Sequence, residues 1–308
     1  MLNISVSNSF EYGCTRNRLC AISFYFIIAM LASVMTIVTI VLNCIFIATL
    51  LSHKLIHKSI SNTFLVVLSL VDLLQGVSTW PVTAANFFML YRLDINHFLW
   101  KLNYIFGYCL IALTVTTIFI IAVEQYIAIL HPYFYISNVT FYHLLGPVLV
   151  VNLMLLIINI VGKMKLNQKW NEYYNFTFTA LGILMLTAFV YMQTKIIHCV
   201  SQVAAKITET NKEEGKRITS RAKAARSGLI VLVATLVCYC PNMFCVIYEK
   251  VREPTLNITT YVRYPTEILA LFSSIIDPII YYCRLKSLRK ATKHMFASLC
   301  RCQKLGHE

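Results

Sequence analysis

The strongest constraint on this chain is a series of seven apolar segments, each close to the roughly 20 residues that a helix needs to cross a bilayer. Backbone polar groups find no water in the hydrocarbon core, so only helices and closed barrels can span it. Long, continuous apolar runs indicate helices. The sequence therefore predicts an all-α membrane protein, a seven-transmembrane helix bundle.

Composition and charge agree with a membrane protein. Hydrophobic residues make up 58% of the chain and charged residues 13%, against about 25% charged residues in soluble domains. A net charge of +14 would also suit nucleic-acid binding, but Lys and Arg concentrate in alternate loops and in the tail. That pattern orients membrane proteins, so we expect the N-terminus outside, the C-terminus inside and no nucleic-acid partner.

We divide the chain into an extracellular segment (1–21), the helix bundle (22–283) and an amphipathic helix with a cytoplasmic tail (284–308). Pro81 is expected to kink helix 2, and residues 163–174 are expected to form a short loop. The seven helices are predicted at 22–51, 59–88, 97–130, 141–162, 176–204, 217–249 and 260–283.

The tail begins with basic and apolar residues at helical spacing. This pattern predicts a short amphipathic eighth helix that lies on the membrane surface and contacts lipids. Cys300 and Cys302 at its end are candidates for palmitoylation, with free cytosolic thiols as the alternative. Glycosylation sequons on the expected outer side begin at Asn3, Asn175 and Asn257. The expected apolar face consists of Leu285, Leu288, Ala291, Met295, Phe296 and Leu299.

Polar landmarks on successive helices resemble those of the rhodopsin-like (class A) G-protein-coupled receptors. Asn43 matches the asparagine of helix 1, and Asn62–Pro81 matches the helix 2 pattern with Asp72. Cys238–Pro241 resembles the Cys-Trp-x-Pro bend. Ser274–Tyr281 resembles Asn-Ser-x-x-Asn-Pro-x-x-Tyr, with an aspartate before the proline.

The resemblance implies a receptor and not an enzyme. It implies a plasma-membrane protein that binds an extracellular ligand and activates heterotrimeric G proteins through outward motion of helix 6, with arrestin as a further partner. Trp100 replaces the usual helix 3 cysteine, and Ile183 replaces the helix 5 proline. With Asp277, these departures look most like the melanocortin, adenosine, cannabinoid and lysophospholipid branch.

An acid inside a membrane helix is costly and is normally functional. In the family, the positions of Asp72 and Asp277 meet around a sodium ion. Two buried carboxylates cannot both stay charged without a cation, so we expect a bound sodium ion or a shared proton, with no other cofactor. The alternative is two separately hydrogen-bonded acids. The matching positions supply Asn43, Thr114, Ser273 and Ser274 as further site residues.

The activation switch departs from the family at helix 3, where Glu124, Gln125 and Tyr126 replace Asp-Arg-Tyr. Glu124 is expected either to pair with Arg221 or to be solvated like it. The resemblance also implies that Pro241 supplies the hinge of helix 6. It implies that Tyr191 and Tyr281 approach each other through water on activation, with simple packing as the alternative.

The ligand is constrained mainly by exclusion. Gly107 stands where amine receptors carry their aspartate, which argues against a biogenic amine and leaves a lipid, a peptide or another small molecule. An apolar, aromatic pocket suits such ligands, although the aromatics could equally be interfacial anchors. The candidate ligand-binding residues are Tyr104, Gly107, Tyr108, Tyr239, Asn242, Tyr264 and Glu267.

Three other classes of protein were weighed. An ion-coupled transporter or channel would show inverted repeats or paired broken helices, and an intramembrane enzyme would cluster nucleophiles or metal ligands within the spans. The sequence shows neither pattern. A receptor-fold protein with weak or no G-protein coupling stays open because of Gln125.

Overall fold

The computed structural model describes the backbone of residues 3–55, 60–94, 96–165, 168–207, 230, 233–248, 259–284, 288–295 and 297. Side chains are described from residue 20 onward, except at 97, 104, 148, 155–156, 158–179, 203–207, 259 and 284 within these ranges. The regular secondary structure of the described part is entirely helical. The expected all-α class is confirmed.

The helices follow the predicted order along the chain. A short helix, Pro132–Asn138, lies between helices 3 and 4. The described bounds of the main helices are Asn3–Ser52 for helix 1, Ile60–Tyr91 for helix 2, His97–Leu130 for helix 3, Phe141–Lys165 for helix 4, Gln168–Ile207 for helix 5, Val233–Tyr248 for helix 6, and Tyr264–Leu271 with Ser273–Arg284 for helix 7.

Length and composition make most of these helices fit to cross a membrane. Among the described residues, four helices qualify alone, and six spans result if each of two bent pairs counts as one. One pair bends by 87° between Pro132–Asn138 and Phe141–Met154, and the other bends by 40° within helix 7. The described part of helix 6 is a shorter apolar helix.

Helices 1 and 5 begin earlier than predicted. Helix 1 runs from Asn3 without a break, although its apolar span begins only at Cys20. No proline occurs before Pro81, so nothing in this segment excludes helical backbone. The loop expected at 163–174 is also mostly helical, since helix 4 reaches Lys165 and helix 5 starts at Gln168. Both predictions placed the helix boundary where the apolar run stops. That point marks where the chain leaves the membrane, whereas the helix continues beyond it.

Helix 2 contains a π-helical turn, Gln75–Thr79, directly before Pro81. The Trp80 N–H donates to the Gln75 carbonyl, five residues back. Proline lacks an N–H and its ring crowds the preceding turn, so a local change of winding is expected there. The predicted irregularity is present, but it is a π turn on the N-terminal side of the proline.

The two largest hydrophobic clusters of the described residues hold the bundle together. One includes Phe46, Phe64, Ile118 and Tyr281, and the other includes Trp80 and its neighbours on helices 1 and 7. The helix after the seventh span joins the first cluster, because Leu288 and Ala291 are buried. Lys290, Lys293 and His294 on that helix are exposed. The amphipathic prediction therefore agrees with the structure at its described residues, while Leu285, Phe296 and Leu299 lie outside them.

Candidate functional site

The centre of the bundle holds two acids that the sequence singled out. Asp72 is 0% exposed and Asp277 is 3% exposed, and they are close enough to interact electrostatically. Helix 2 supplies the first acid and helix 7 the second. The structure therefore brings together the two charges that were predicted to meet.

Helix 7 places its polar residues here because of two backbone irregularities. The helix breaks at Phe272, where it bends by 40°. Pro278 has no N–H, so the Ser274 carbonyl four residues earlier loses its normal helical donor. The side-chain amide of Asn43 donates to that carbonyl at 3.0 Å. Asn43 thus ties helix 1 to helix 7 at the proline.

The two serines of helix 7 link the acids to helices 2 and 6. Both hydroxyls donate to carbonyls of their own helix, Ser273 to Ala270 and Ser274 to Leu271. Their oxygens are then acceptors, for the Tyr239 hydroxyl at 2.7 Å and for the Trp80 indole N–H at 3.4 Å. These serines therefore connect three helices at one level.

Thr114, a further predicted site residue, lies against helix 2. It is fully buried, and its hydroxyl accepts a 3.0 Å hydrogen bond from the Gln75 amide. Gln75 and Trp80 were not identified from the sequence as members of this polar cluster. Both lie at the π turn of helix 2, whose altered winding could not be placed from residue spacing.

The donor set around the acids fits a hard cation. Neither carboxylate oxygen of Asp72 has a hydrogen-bond partner among the described residues, and the same holds for Oδ2 of Asp277 and Oδ1 of Asn43. Buried oxygens normally have partners, and hard cations bind to oxygen. Groups of three or more His, Cys, Asp or Glu side chains that could hold a metal do not occur in the described part. Two neighbouring buried carboxylates can be neutralised by one bound cation or by a shared proton.

Above this cluster lies a cavity of about 420 Å³ between helices 2 to 7. This volume falls in the range of small-molecule pockets. The surface of its lining is mostly apolar. Tyr239 forms part of its wall, so one side chain belongs both to the cavity and to the polar cluster.

Most of the predicted pocket residues line this cavity. Gly107, Tyr108, Asn242 and Glu267 do so together with Tyr239. The Tyr104 side chain lies outside the described residues.

Tyr264 was also expected in the pocket, but it is not among the lining residues. Its ring packs on Tyr25, Phe87 and Trp100. Trp100, in place of the usual cysteine, lines the cavity itself. The replacement of the usual cysteine by Trp100 was the only sequence feature that could have indicated this pocket residue.

The cytoplasmic end of helix 3 carries a third buried acid. Glu124 is 3% exposed and accepts hydrogen bonds from Ser61 at 2.5 Å and from Tyr135 at 2.6 Å. Burial, and then the hydrogen bond to Glu124, raise the pKa of the Tyr135 hydroxyl above its ordinary value. The expectation that Glu124 is solvated is wrong for its side chain. Arg221, its other expected partner, lies outside the described residues.

The remaining switch residues occupy different environments. Tyr191 is 55% exposed with the Lys195 amine 5.7 Å from its ring, whereas Tyr281 is buried beside Phe46. Gln125 has a buried side-chain oxygen with no partner among the described residues. Tyr126 packs against Ile129 and Ile196.

Several predicted sites fall where no side chain is described. These are the glycosylation sites Asn3, Asn175 and Asn257, and the palmitoylation candidates Cys300 and Cys302. They stay predictions.

Comparison with known families gives one match. The family model described as 7 transmembrane receptor (rhodopsin family) matches residues 42–281. The matched region begins one residue before Asn43 and ends at Tyr281, so it contains the acid pair, the cavity and the cytoplasmic end of helix 3.

Proposed function

Since the chain belongs to the rhodopsin family of seven-transmembrane receptors, we propose that it binds an extracellular ligand in the cavity and activates heterotrimeric G proteins through outward motion of helix 6. The family is one of multi-pass membrane receptors and not of enzymes. Within it, the departures at Trp100, Ile183 and Asp277 favour the branch of melanocortin, adenosine, cannabinoid and lysophospholipid receptors.

One observation carries the proposal. Tyr239 lines the cavity and donates a hydrogen bond to Ser273, beside the Asp72–Asp277 pair. A ligand that changes the position of this ring would therefore change a contact between helices 6 and 7. A ligand shifts a conformational equilibrium only if it binds the two conformations with different affinity. We propose that contact with Tyr239 gives the ligand this difference in affinity.

We propose that Asp72 and Asp277 hold one sodium ion or share one proton in the resting state. Asn43, Thr114, Ser273 and Ser274 complete the polar shell. The unpartnered oxygens of Asp72, Asp277 and Asn43 support this role. A bound cation would compensate the carboxylate charge and favour the packing in which helices 2 and 7 stay close.

The cytoplasmic switch follows the same proposal. Pro241 supplies the hinge of helix 6, and Tyr191 turns inward towards Tyr281 once helix 6 has moved. Gln125 contributes to the cytoplasmic face that the G protein contacts, and Glu124, Tyr126 and Arg221 are the other predicted switch residues near it. Arrestin binds the same face.

The proposal also fixes location and orientation. The chain lies in the plasma membrane with its N-terminus outside and its C-terminus in the cytoplasm. Asn3, Asn175 and Asn257 then lie on the side where glycosylation occurs, and Cys300 and Cys302 lie where palmitoylation occurs.

A second candidate function is a receptor fold with weak or no G-protein coupling. It is favoured by Gln125, which provides an amide where the family has an arginine, and by Glu124, whose two oxygens are already bound by Ser61 and Tyr135. An amide lacks the charge and the five donors of a guanidinium, so contacts to a G protein would be weaker.

Nucleotide exchange separates the two candidates. Membranes that contain the wild type or the variant Gln125→Arg are assayed with a set of purified heterotrimeric G proteins and a panel of lipids, nucleosides and peptides. We expect ligand-dependent exchange in the wild type and a larger response in Q125R. Silence of both proteins at equal surface expression would support the second candidate.

A further inference from the structure

The cavity carries charge at only one place among its described lining residues. Arg263 and Glu267 both line it, and the arginine Nε lies 2.9 Å from the glutamate Oε1. Arg263 ends a π-helical turn and Glu267 lies in the first turn of the following helix, four residues later. Their side chains are 27% and 32% exposed, so both are mostly covered.

This pair gives the cavity no net charge. A carboxylate ligand that approaches Arg263 also meets Glu267, and an ammonium ligand that approaches Glu267 also meets Arg263. Coulomb attraction to one partner is therefore opposed by repulsion from the other at nearly the same distance. Asp72 and Asp277 lie beyond Tyr239 and are not among the lining residues. An ion entering the cavity would lose hydration without gaining a counter-charge.

An uncharged polar ligand has a specific partner instead. The side-chain oxygen of Asn242 is buried, lines the cavity and accepts no hydrogen bond from the described residues. Thr79 is also a lining residue and is 1% exposed, and its hydroxyl oxygen has no hydrogen-bond partner among the described residues. Buried polar atoms are normally satisfied, so these two oxygens call for a ligand that brings a hydrogen-bond donor.

We propose that this cavity selects uncharged amphiphiles, with a donor group at Asn242 and an apolar body along the remaining wall. In this proposal the Arg263–Glu267 pair is the specificity determinant, because it prevents either charge from attracting an ion. The inference rests on the ligand-binding role proposed above and names the class of ligand that the cavity takes.

The test uses three probes with one alkyl chain and different head groups: dodecan-1-ol, dodecanoate and dodecylammonium. The full-length protein is reconstituted in phosphatidylcholine nanodiscs, and thermal unfolding is followed as each probe is titrated. Apparent affinity comes from the concentration dependence of the unfolding temperature. Gly107→Phe fills the cavity, since no atom lies within 4 Å of a Cβ added at Gly107. Gly146→Phe is the matched control at an equally open position that is not among the lining residues.

In the wild type, dodecan-1-ol should stabilise the protein at lower concentration than either ion. G107F should abolish its effect and G146F should keep it. Asn242→Leu should lower the apparent affinity for dodecan-1-ol by about fivefold, which corresponds to the loss of one neutral hydrogen bond.

The charge variants test the specificity determinant directly. Arg263→Gln removes the positive charge beside Glu267 and should raise the affinity for dodecylammonium by about fivefold. Glu267→Gln should raise the affinity for dodecanoate by a similar factor. The double variant R263Q/E267Q is again neutral and should favour neither ion. It contains both substitutions without a change in net charge, so it separates the effect of charge on affinity from the effect of disturbed packing.

Two results would overturn the proposal: stabilisation of the wild type by an ion as strong as that by dodecan-1-ol, or no stabilisation by dodecan-1-ol. The unfolding measurement contains no G protein. A protein that binds the alcohol but activates no G protein would therefore contradict the proposed signalling function and leave the ligand class supported.

Discussion

Single side chains decide how the centre of this bundle is satisfied. Asp72 and Asp277 could be located from the sequence, because a charged residue within an apolar segment is conspicuous. The partners of Ser274 and Thr114 could not, since Trp80 and Gln75 are not marked by the sequence as members of this polar cluster. Their roles depend on which side of helix 2 faces helix 7, and the π turn alters that. Glu124 was found by motif position, but its contacts with Ser61 and Tyr135 needed the structure.

The acid pair should make stability depend on sodium. A cation that binds the folded state raises the unfolding temperature, and removing one carboxylate should remove the effect. We expect sodium chloride to stabilise the wild type relative to N-methylglucamine chloride at equal ionic strength, and Asp72→Asn to show no difference between the salts. An equal salt response in both proteins would rule out sodium at this pair.

Asn43 should be needed for stability because of Pro278. Asn43→Leu removes the donor to the Ser274 carbonyl, which would then be buried without a partner at a cost of about 1–3 kcal/mol. Ser33→Ala, on the same helix, removes a hydroxyl bound only to the Ala29 carbonyl within helix 1 and should cost less. Thermal unfolding of the two variants measures the difference, and equal losses would show that the link to helix 7 contributes little.

Among elements, the order and approximate position of the helices follow from apolar length, whereas their ends and bends do not. Helix 3 has the predicted bounds, and the side chain of Asn96 caps its first turn. Helix 5 starts eight residues before its apolar prediction, at Gln168. Helix 7 bends at Phe272, six residues before Pro278, although no bend was predicted there. Prolines indicate that a helix deviates, but packing decides where.

Helices 1 and 2 should depend on the absence of a side chain at Gly76. A Cβ there would lie 3.0 Å from Ile40 Cγ1 and 3.2 Å from Thr39 Cγ2. Gly76→Val should therefore lower the free energy of unfolding by about 1–3 kcal/mol. Gly146→Val makes the same change where a Cβ meets no atom within 4 Å, so it isolates the packing term. Similar unfolding temperatures for the two variants would show that this contact can adjust.

At the scale of the whole molecule, the cavity, the acid pair and the first hydrophobic cluster follow one another along helices 2, 6 and 7. Tyr239 connects the cavity to the acid pair. Tyr281 lies one turn after Asp277 and belongs to the hydrophobic cluster that includes Phe46. Family membership could be anticipated from motifs in order along the chain. The ligand could not, because the cavity's polar character depends on pairing between Arg263 and Glu267 and on the unpaired oxygen of Asn242.

The most direct test of the coupling is basal nucleotide exchange by heterotrimeric G proteins on membranes containing the wild type or Tyr239→Phe. Phenylalanine keeps the ring and removes only the hydroxyl that donates to Ser273. Loss of about 1 kcal/mol from the resting state should raise basal exchange roughly fivefold. Phe24→Tyr, on helix 1, controls for changing a ring hydroxyl elsewhere and should leave exchange unaltered. Unchanged exchange in Tyr239→Phe, from a folded protein that otherwise activates G protein, would contradict the account.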